Sequence, residues 1–240
     1  YSDRTVRLLF PAGEPGSSLL ASVEVDGRQA PFAPVPDAVE LPGDDSGPVS
    51  YRLRAYRIDA AGNRSAEMRA VSLVVDRSSL YAAEDAPDAG DGSPTRPYRS
   101  LDAALEAALA GGKRSLCLRG SLEARKPLSI EGATLAIVGG FGPGWAKDPS
   151  ARARVLLRAG GAAPAIAIRG SKLSLRSLEL GFESPGTSAL VKTEEGELEL
   201  SDCVLAAGAS GDLLFISAVR SKLLASRSSF QAERAMSCAV

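Results

Sequence analysis

Histidine is absent from this 240-residue sequence, and other residues that commonly carry chemistry are scarce. Without histidine, Ser-His-Asp and Cys-His catalysis are excluded, and the commonest metal ligand is missing. The three cysteines, Cys117, Cys203 and Cys238, are far apart and odd in number, so they form neither a disulfide framework nor a zinc motif. Each lies in an apolar, strand-like stretch and is predicted to be a small buried hydrophobe. Any chemistry must come from Asp, Glu, Lys, Arg or Tyr.

An excess of charge of one sign and long apolar runs are also missing. The 28 basic residues oppose 29 acidic ones, which gives a net charge of −1 and no sign of a nucleic-acid or membrane-surface partner. No run reaches the roughly 20 apolar residues that a membrane span needs, so no membrane insertion is predicted within this chain. Aromatic residues make up only 5% of the chain, few for a protein that would bind sugars on aromatic platforms.

A repeat is present between Ala165 and Phe230. Apolar residues recur at a constant step in two series, Leu173, Leu198 and Leu223, and Leu180, Leu205 and Phe230. Within each copy, apolar and polar residues alternate, as in residues 172–175 (KLSL) and 197–200 (ELEL), which is typical of a half-buried strand. A fixed period of this size, built of strands, predicts a parallel β-helix in which equivalent side chains form columns about 4.8 Å apart.

Residues 1–77 carry a different pattern. Short alternating stretches, such as residues 51–55 (YRLRA), are separated by gaps rich in proline and glycine, and no helical period lies between them. This pattern predicts a small β-sandwich. In the turn after residue 58, Asp59 can accept turn N–H groups while Gly62 and Asn63 tolerate positive φ. A self-satisfied turn is the interpretation we favour there, and a calcium site at Asp59 is the alternative.

An acidic, glycine- and proline-rich joint follows at residues 76–96. Asp85, Asp88 and Asp91 give the carboxylate density that calcium needs, although the ligand spacing of an EF-hand is missing. A solvated acidic loop is the alternative interpretation.

One helix is predicted over residues 100–110. Its apolar residues follow the helical period, Ser100 is placed to N-cap it and Gly111 to supply its C′ residue. We expect it to lie across the open end of the coil and to shield the first turn.

Three segments resemble known families. Residues 51–65 look like the late hairpin of bacterial immunoglobulin-like or fibronectin-III-like modules. Residues 79–105 resemble the first segment of bacterial right-handed β-helix proteins of the pectate-lyase-like superfamily, with a strand, an acidic loop, a G-[ST]-x-x-x-P-[FY]-x-[ST]-[LI] turn and an Ala-rich helix. Residues 138–149 (VGGFGPGWAKDP), which lead into residues 154–157 (RVLL), look like an excursion of that family's surface proteins. Lys147 and Arg154 replace the usual arginine and threonine.

The resemblance implies an all-β protein, with a β-sandwich over residues 1–77 and a right-handed parallel β-helix over residues 78–240. It also implies a location outside the cell or on the surface of a bacterium. The matching motifs are structural and bring no catalytic residues with them.

The outward positions of the repeat give the candidate sites. Lys172, Glu197 and Lys222 fall in one column, as do Asp202 and Arg227, and alternating signs predict a modest surface stabilisation. The alternative is a catalytic pair of Glu197 and Glu199, which strand geometry places about 7 Å apart, close to the spacing of an inverting glycosidase.

Trp145 is the single tryptophan, and it lies in a loop of glycine and proline. It either presents a face to a sugar or packs beneath the excursion.

The leading hypothesis is a non-catalytic extracellular surface, adhesion or scaffold module, without a cofactor, whose partner is a polysaccharide or another surface protein. One alternative is the front portion of a polysaccharide lyase or glycoside hydrolase, and a second is a calcium-dependent carbohydrate-binding module. The sequence stops at Val240 inside an expected strand, and it shows no capping segment there. We therefore expect that the coil is incomplete at its C-terminal end and belongs to a longer coil, or that this end is covered by another chain.

Overall fold

The structure is a computed structural model that describes residues 6–10, 13–36, 38–43, 49–67, 70–157, 163–183, 189–209 and 214–234. Strands dominate these residues, which contain one α-helix and one short 3-10 turn, and three of the five sheets are parallel. The predicted all-β class is therefore confirmed. The chain divides into two compact units, residues 1–78 and 79–240.

The described part of the first unit contains seven antiparallel strands. They are β1 (Val6–Leu9), β2 (Ser18–Val25), β3 (Arg28–Gln29), β4 (Ala33–Pro34), β5 (Ala38–Leu41), β6 (Val49–Ile58) and β7 (Val71–Val75). β1 pairs with β5, while β3, β2, β6 and β7 follow one another in a second sheet in which β4 also pairs with β2. Leu41 of β5, Tyr51 of β6 and Val75 of β7 share one buried cluster, so side chains of the two sheets meet.

The turn after β6 is held by the carboxylate of Asp59. Its Oδ1 accepts the backbone N–H groups of Ala61 and Asn63 at 2.9 and 2.8 Å, and the Asn63 side chain donates to Oδ2 at 2.9 Å. These hydrogen bonds, led by that of the Asn63 side chain, hold the pKa of Asp59 below its ordinary value. Gly62 adopts the expected positive φ, 86°. Asn63 does not adopt a positive φ and instead donates hydrogen bonds to Asp59. The turn thus satisfies its own carboxylate, as we favoured.

The second unit holds the remaining elements. They are β8 (Ser79–Ala83), α1 (Leu101–Ala110), β9 (Ser115–Arg119), β10 (Ser121–Ala124), β11 (Leu128–Glu131), β12 (Thr134–Val138), the 3-10 turn (Pro143–Trp145), β13 (Ala153–Leu157), β14 (Ile166–Arg169), β15 (Lys172–Arg176), β16 (Leu178–Phe182), β17 (Ala189–Glu194), β18 (Glu197–Ser201), β19 (Val204–Ala209), β20 (Leu214–Val219), β21 (Lys222–Ser226) and β22 (Ser229–Arg234).

These strands form three parallel sheets, and each sheet takes every third strand from β9 onward. The orders are β8-β9-β12-β15-β18-β21, β10-β13-β16-β19-β22 and β11-β14-β17-β20. We call three consecutive strands, one from each sheet, a rung. Because neighbours in a sheet come from successive rungs, residues one repeat apart are brought side by side.

Inward columns of apolar side chains fill the core of this unit. Leu173 pairs with Leu198, which pairs with Leu223, so the register confirms the step predicted from the repeat. Leu180, Leu205 and Phe230 are aligned in the same way. Leu173 and Leu198 are fully buried. Burial of a leucine side chain contributes roughly 1.5–3 kcal/mol, so the columns supply the main stabilisation between rungs.

Two of the predicted buried cysteines lie in the described part of the chain. Cys117 and Cys203 are both buried free thiols, as expected. Burial raises the pKa of the Cys203 thiol, whose Sγ lies 3.2 Å from the carbonyl oxygen of Leu175. Cys238 lies outside the described residues.

At two corners of the rungs the chain changes direction, and each of these corners contains one residue with positive φ. After the strands of the first sheet these residues are Ser177 (53°), Asp202 (56°) and Arg227 (46°). Before the same strands they are Gly170 (56°), Glu195 (52°) and Arg220 (48°). A residue other than glycine adopts this conformation at a cost of about 1–2 kcal/mol. Its recurrence at the same point of successive rungs indicates that stacking imposes the corner geometry.

Helix α1 packs against the first strands of the unit. Ser100 caps it and accepts the N–H of Ala103, as predicted, and its buried residues include Leu101 and Leu105. The predicted C′ residue is wrong by one position, because Gly111 is the C-cap with φ −85° and Gly112 takes the left-handed conformation with φ 60°. The N–H groups of Gly112 and Lys113 then bond the carbonyls of Leu109 and Ala108, which is a Schellman motif.

Truncating a buried column residue should destabilise the second unit far more than truncating an exposed one. We expect Leu198→Ala to lower the free energy of unfolding by about 2–5 kcal/mol, because Leu198 is 0% exposed and its truncation leaves a cavity. Leu224→Ala, at a position 42% exposed on the next strand of the same sheet, should cost under about 0.5 kcal/mol. Urea unfolding measures both values, and equal losses would contradict the inward column.

Candidate functional site

Charged side chains on the outside of the rungs form a ladder. We call charge ladder the ion pairs of the described residues whose partners are one repeat apart: Arg154–Glu179, Arg169–Glu194, Lys172–Glu197, Glu195–Arg220, Glu197–Lys222 and Asp202–Arg227. The parallel register places each acid beside a cation of the next or the preceding rung. The predicted columns of opposite charge are therefore confirmed.

Glu197 is on β18 and lies between two lysines, one on each neighbouring strand. The Nζ atoms of Lys172 and Lys222 are 3.0 and 3.5 Å from its Oε1. The hydrogen bond from Lys172, with a smaller contribution from Lys222, holds the pKa of Glu197 below its ordinary value. A general acid needs the opposite change, a carboxyl pKa raised towards neutral pH. Glu197 is suited to a permanent ion pair.

Glu199 points outward two positions further along β18 and has its own cation. Arg176 Nη2 lies 3.4 Å from Glu199 Oε2, and Arg176 Nε donates to Ser174 at 3.0 Å. Each member of the predicted catalytic pair thus faces a cation on β15. The catalytic role of Glu197 and Glu199 stays a prediction, and the geometry favours the ion-pair interpretation.

The acidic loop after β8 directs its carboxylates to three different arginines. Asp85 accepts Arg119 Nη2 through both oxygens at 2.7 and 2.9 Å, and Asp88 accepts Arg99 at 2.6 Å. Asp91 accepts the N–H of Ser93 at 3.0 Å and lies 3.6 Å from Arg96. Arg119 lowers the pKa of Asp85, chiefly by its hydrogen bond, and Ser93 does the same for the pKa of Asp91.

The structure does not gather these three carboxylates around one point. Among the residues it describes, no group of three or more Cys, Asp or Glu side chains is arranged to hold a metal ion. Calcium binding by Asp85, Asp88 and Asp91 stays a prediction. All three carboxylates are exposed, which agrees with the alternative of a solvated acidic loop, and each of them also contacts an arginine.

Trp145 lies in a buried aromatic cluster beneath the excursion. The residue is 6% exposed, and its ring contacts those of Tyr81 and Phe141 at centroid distances of 4.7 and 5.8 Å. The indole Nε1–H donates to the carbonyl of Pro94 at 2.8 Å. Packing, one of our two interpretations, describes this position, and contact with a sugar would require the cluster to open.

Two cations complete this cluster: Lys147, which the sequence marked only as a replacement in the excursion, and Arg119, which it did not single out. Arg119 stacks on Trp145 with its Cζ 4.9 Å from the ring centroid, and the same guanidinium binds Asp85. Lys147 lies over Phe141 at 4.0 Å, and burial lowers its pKa. Arg119 thereby ties the acidic loop, strand β9 and the excursion together. No local motif marks Arg119, since Asp85 and Trp145 both lie far from it along the chain.

An open cleft of about 640 Å³ lies beside the start of α1. Its charged and aromatic lining consists of Glu84, Asp88, Tyr98, Arg99, Asp102, Glu123 and Arg125. Neither Glu197 nor Glu199 lines it. Sequence reasoning missed this cleft because its residues come from three segments that only the fold brings together.

The acids in this cleft already have partners. Glu84 accepts the N–H of Ser121 at 2.9 Å, Asp102 accepts that of Arg125 at 3.1 Å, and Glu123 lies 3.8 Å from Arg125 Nε. Asp102, in the first turn of α1, therefore anchors the chain after β10. The cleft presents mixed charge without a pair of free carboxylates among its described contacts.

Comparison of the chain with models of protein families, with curated protein sequences and with solved structures found no match. Among the described residues, no helix has the length and apolar character required to cross a membrane.

The packing of Trp145 predicts its fluorescence. Because the chain has a single tryptophan, emission reports on this cluster alone. We expect folded protein to emit at shorter wavelength than unfolded protein and to resist quenching by acrylamide, since the indole is covered. Quenching as efficient in folded as in unfolded protein would contradict the buried cluster, and a spectrum that changes with added polysaccharide would favour sugar contact.

Asp202 and Arg227 should give a coupled, pH-dependent contribution to stability. Arg227 Nε and Nη2 lie 2.6 and 2.8 Å from the Asp202 oxygens and hold the pKa of Asp202 below its ordinary value. A lowered folded-state pKa stabilises the protein above the unfolded pKa of about 3.9, and this contribution is lost as the pH falls through the folded pKa.

We therefore expect Asp202→Asn to lower the melting temperature at pH 7 and to have a vanishing effect in acid. In an Arg227→Gln background the same change should have little effect at any pH, because its partner is gone. Thermal melts of the four proteins across pH provide the measurement, and additive losses at neutral pH would argue against the pair.

Proposed function

We propose that this chain is a non-catalytic scaffold or adhesion module of a bacterial surface protein. In this proposal an immunoglobulin-like or fibronectin-III-like β-sandwich precedes a right-handed parallel β-helix of the pectate-lyase-like superfamily. The antiparallel first unit and the three parallel sheets of the second support this assignment. Right-handedness follows the strong general preference for parallel strand crossovers.

The charge ladder is the observation that carries the proposal. Its outward acids pair with cations one rung away, so the column surface is compensated instead of presenting two opposed carboxylates. Exposed pairs of this kind add little stability singly. Their regular repetition favours a structural role for this solvent-exposed surface over a catalytic one.

The location outside the cell or on its surface is part of this proposal. It rests on the resemblance of residues 79–105 and 138–149 to surface proteins. A polysaccharide or another surface protein is the proposed class of partner. No cofactor has a role in this function.

The front portion of a polysaccharide lyase or glycoside hydrolase is the second candidate. The cleft beside α1 favours it, because Asp102 and Glu123 together with Tyr98 supply carboxylates and an aromatic ring within one open space. The third candidate, a calcium-dependent carbohydrate-binding module, depends on the acidic loop, whose carboxylates pair with arginines.

Incubation of the purified chain with a panel of acidic and neutral polysaccharides tests the proposal. We expect no product above the rate in buffer, and the same result for Glu197→Gln, which is the matched variant of the ladder. Reproducible cleavage that Glu197→Gln abolishes would overturn the scaffold function. Cleavage abolished by Glu123→Gln but not by Glu197→Gln would instead assign catalysis to the cleft.

A further inference from the structure

The outward face of strand β6, in the first unit, carries arginine and aromatic side chains in one line. Every second residue of this strand, from Tyr51 to Ala55, is buried in the core of the unit. Arg52, Arg54 and Tyr56 lie on the opposite face, because side chains alternate between the two faces of a strand. Their side chains are therefore not part of that core.

Two aromatic rings and two arginines form a cluster at one end of this line. The rings of Phe32 and Tyr56 have centroids 4.9 Å apart, and both residues are half-buried. Arg64 Cζ lies 3.6 Å from the Tyr56 centroid, and Arg54 Cζ lies 5.5 Å from that of Phe32. Among the described residues, Glu67 is the one acid in ion-pair contact with either arginine, at 3.7 and 3.8 Å. These contacts are too long for hydrogen bonds, so guanidinium N–H groups stay available to a further anion.

An open groove of about 440 Å³ lies at the other end of the line. Arg52 lines it and stands between its partners in the sheet, Glu24 on β2 and Ser72 on β7. No acid of the described residues is within ion-pair distance of Arg52. The groove and the aromatic cluster are therefore joined by the two arginines of β6.

This face carries more positive than negative charge. The outward positions of β2, β6 and β7 and the aromatic cluster together hold three arginines and two glutamates, namely Arg52, Arg54, Arg64, Glu24 and Glu67. In the adjoining turn, the carboxylate of Asp26 accepts the N–H of Ser50 at 2.8 Å. Arginine binds carboxylates through paired N–H groups, so the charge favours an anionic ligand.

The place of β6 in its sheet limits what can bind to this face. It pairs with β2 on one side and with β7 on the other, so its backbone N–H and C=O groups already have partners. A polypeptide that binds by adding a strand to a sheet edge is therefore disfavoured. A ligand must be held by side chains alone. A sugar chain meets this condition, since its rings pack on aromatic side chains and its acidic groups bind arginine.

We propose that the outward face of β6 binds an anionic polysaccharide. Carboxylates of the polysaccharide bind Arg52 and Arg54, and a sugar ring packs against Phe32 and Tyr56. The inference deepens the proposed function, since it names the charge of the polysaccharide and the surface that binds it, and in that respect it rests on the proposed function. The contacts that carry it lie in the first unit and are independent of the charge ladder.

Titration calorimetry of the intact chain with carboxymethyl-dextran tests the proposal. Dextran is the matched uncharged polymer, and poly-L-glutamate is the matched acidic polypeptide. We expect saturable binding of carboxymethyl-dextran, about tenfold or more tighter than that of dextran and weakened by added salt. The double variant Arg52→Gln/Arg54→Gln should lower the affinity about tenfold or more, because the carboxylates lose their partners.

Two single variants serve as controls. Arg7→Gln is matched to the arginine variants, because Arg7 is an exposed arginine of β1 that also lies opposite a glutamate, Glu40. It should change the affinity less than about twofold, since it lies outside the proposed surface. Tyr56→Leu should weaken binding of carboxymethyl-dextran, whose rings pack on the aromatic cluster, and leave binding of poly-L-glutamate unchanged.

Each other result has a distinct meaning. Absence of saturable binding, or equal binding of dextran and carboxymethyl-dextran, would overturn the anionic-polysaccharide proposal even if the double variant failed to fold. Poly-L-glutamate bound as tightly as carboxymethyl-dextran would assign the face to an acidic polypeptide and overturn it as well. Cleavage in the polysaccharide panel would overturn the scaffold function and leave the calorimetric result for this face unchanged.

Discussion

The parallel register between successive rungs is the constraint on which the second unit depends. The constant repeat length places leucine above leucine in the inward columns and cation beside anion in the outward ones. A shift of one residue would exchange the two sets, because side chains alternate between faces of a strand. Burial of leucine is worth several times an exposed ion pair, so the core fixes the register and the charges follow it.

Polar contacts outside the columns then fasten the irregular segments to this stack. Arg119 projects from β9 to Asp85 on one side and Trp145 on the other. The carbonyl oxygen of Pro94 accepts a hydrogen bond from the indole N–H of Trp145, so the excursion is also hydrogen-bonded to the segment before α1. Asp85, Asp88 and Trp145 in these segments therefore each have a defined polar neighbour in the fold.

Much of this arrangement could be predicted from the sequence, because its signals are local or periodic. Alternation indicated the strands, the repeat indicated the register of Leu173 and Leu198, and Ser100 marked the start of the helix. The position of Gly112 was missed, since two adjacent glycines satisfy the same sequence rule. The cleft beside α1 and the partners of Asp85, Asp88 and Asp91 could not be predicted, because they depend on contacts between segments with no shared period.

The corners of the rungs accept side chains of different chemistry. Asp202 and Arg227 occupy equivalent left-handed positions, although their charges are opposite and neither is glycine. The backbone there is set by its neighbours in the stack, so the corner conformation does not require glycine. Architecture and surface chemistry are thus encoded at separate positions. Side chains on the outside of the unit can therefore be substituted at the corners while the inward apolar columns are kept.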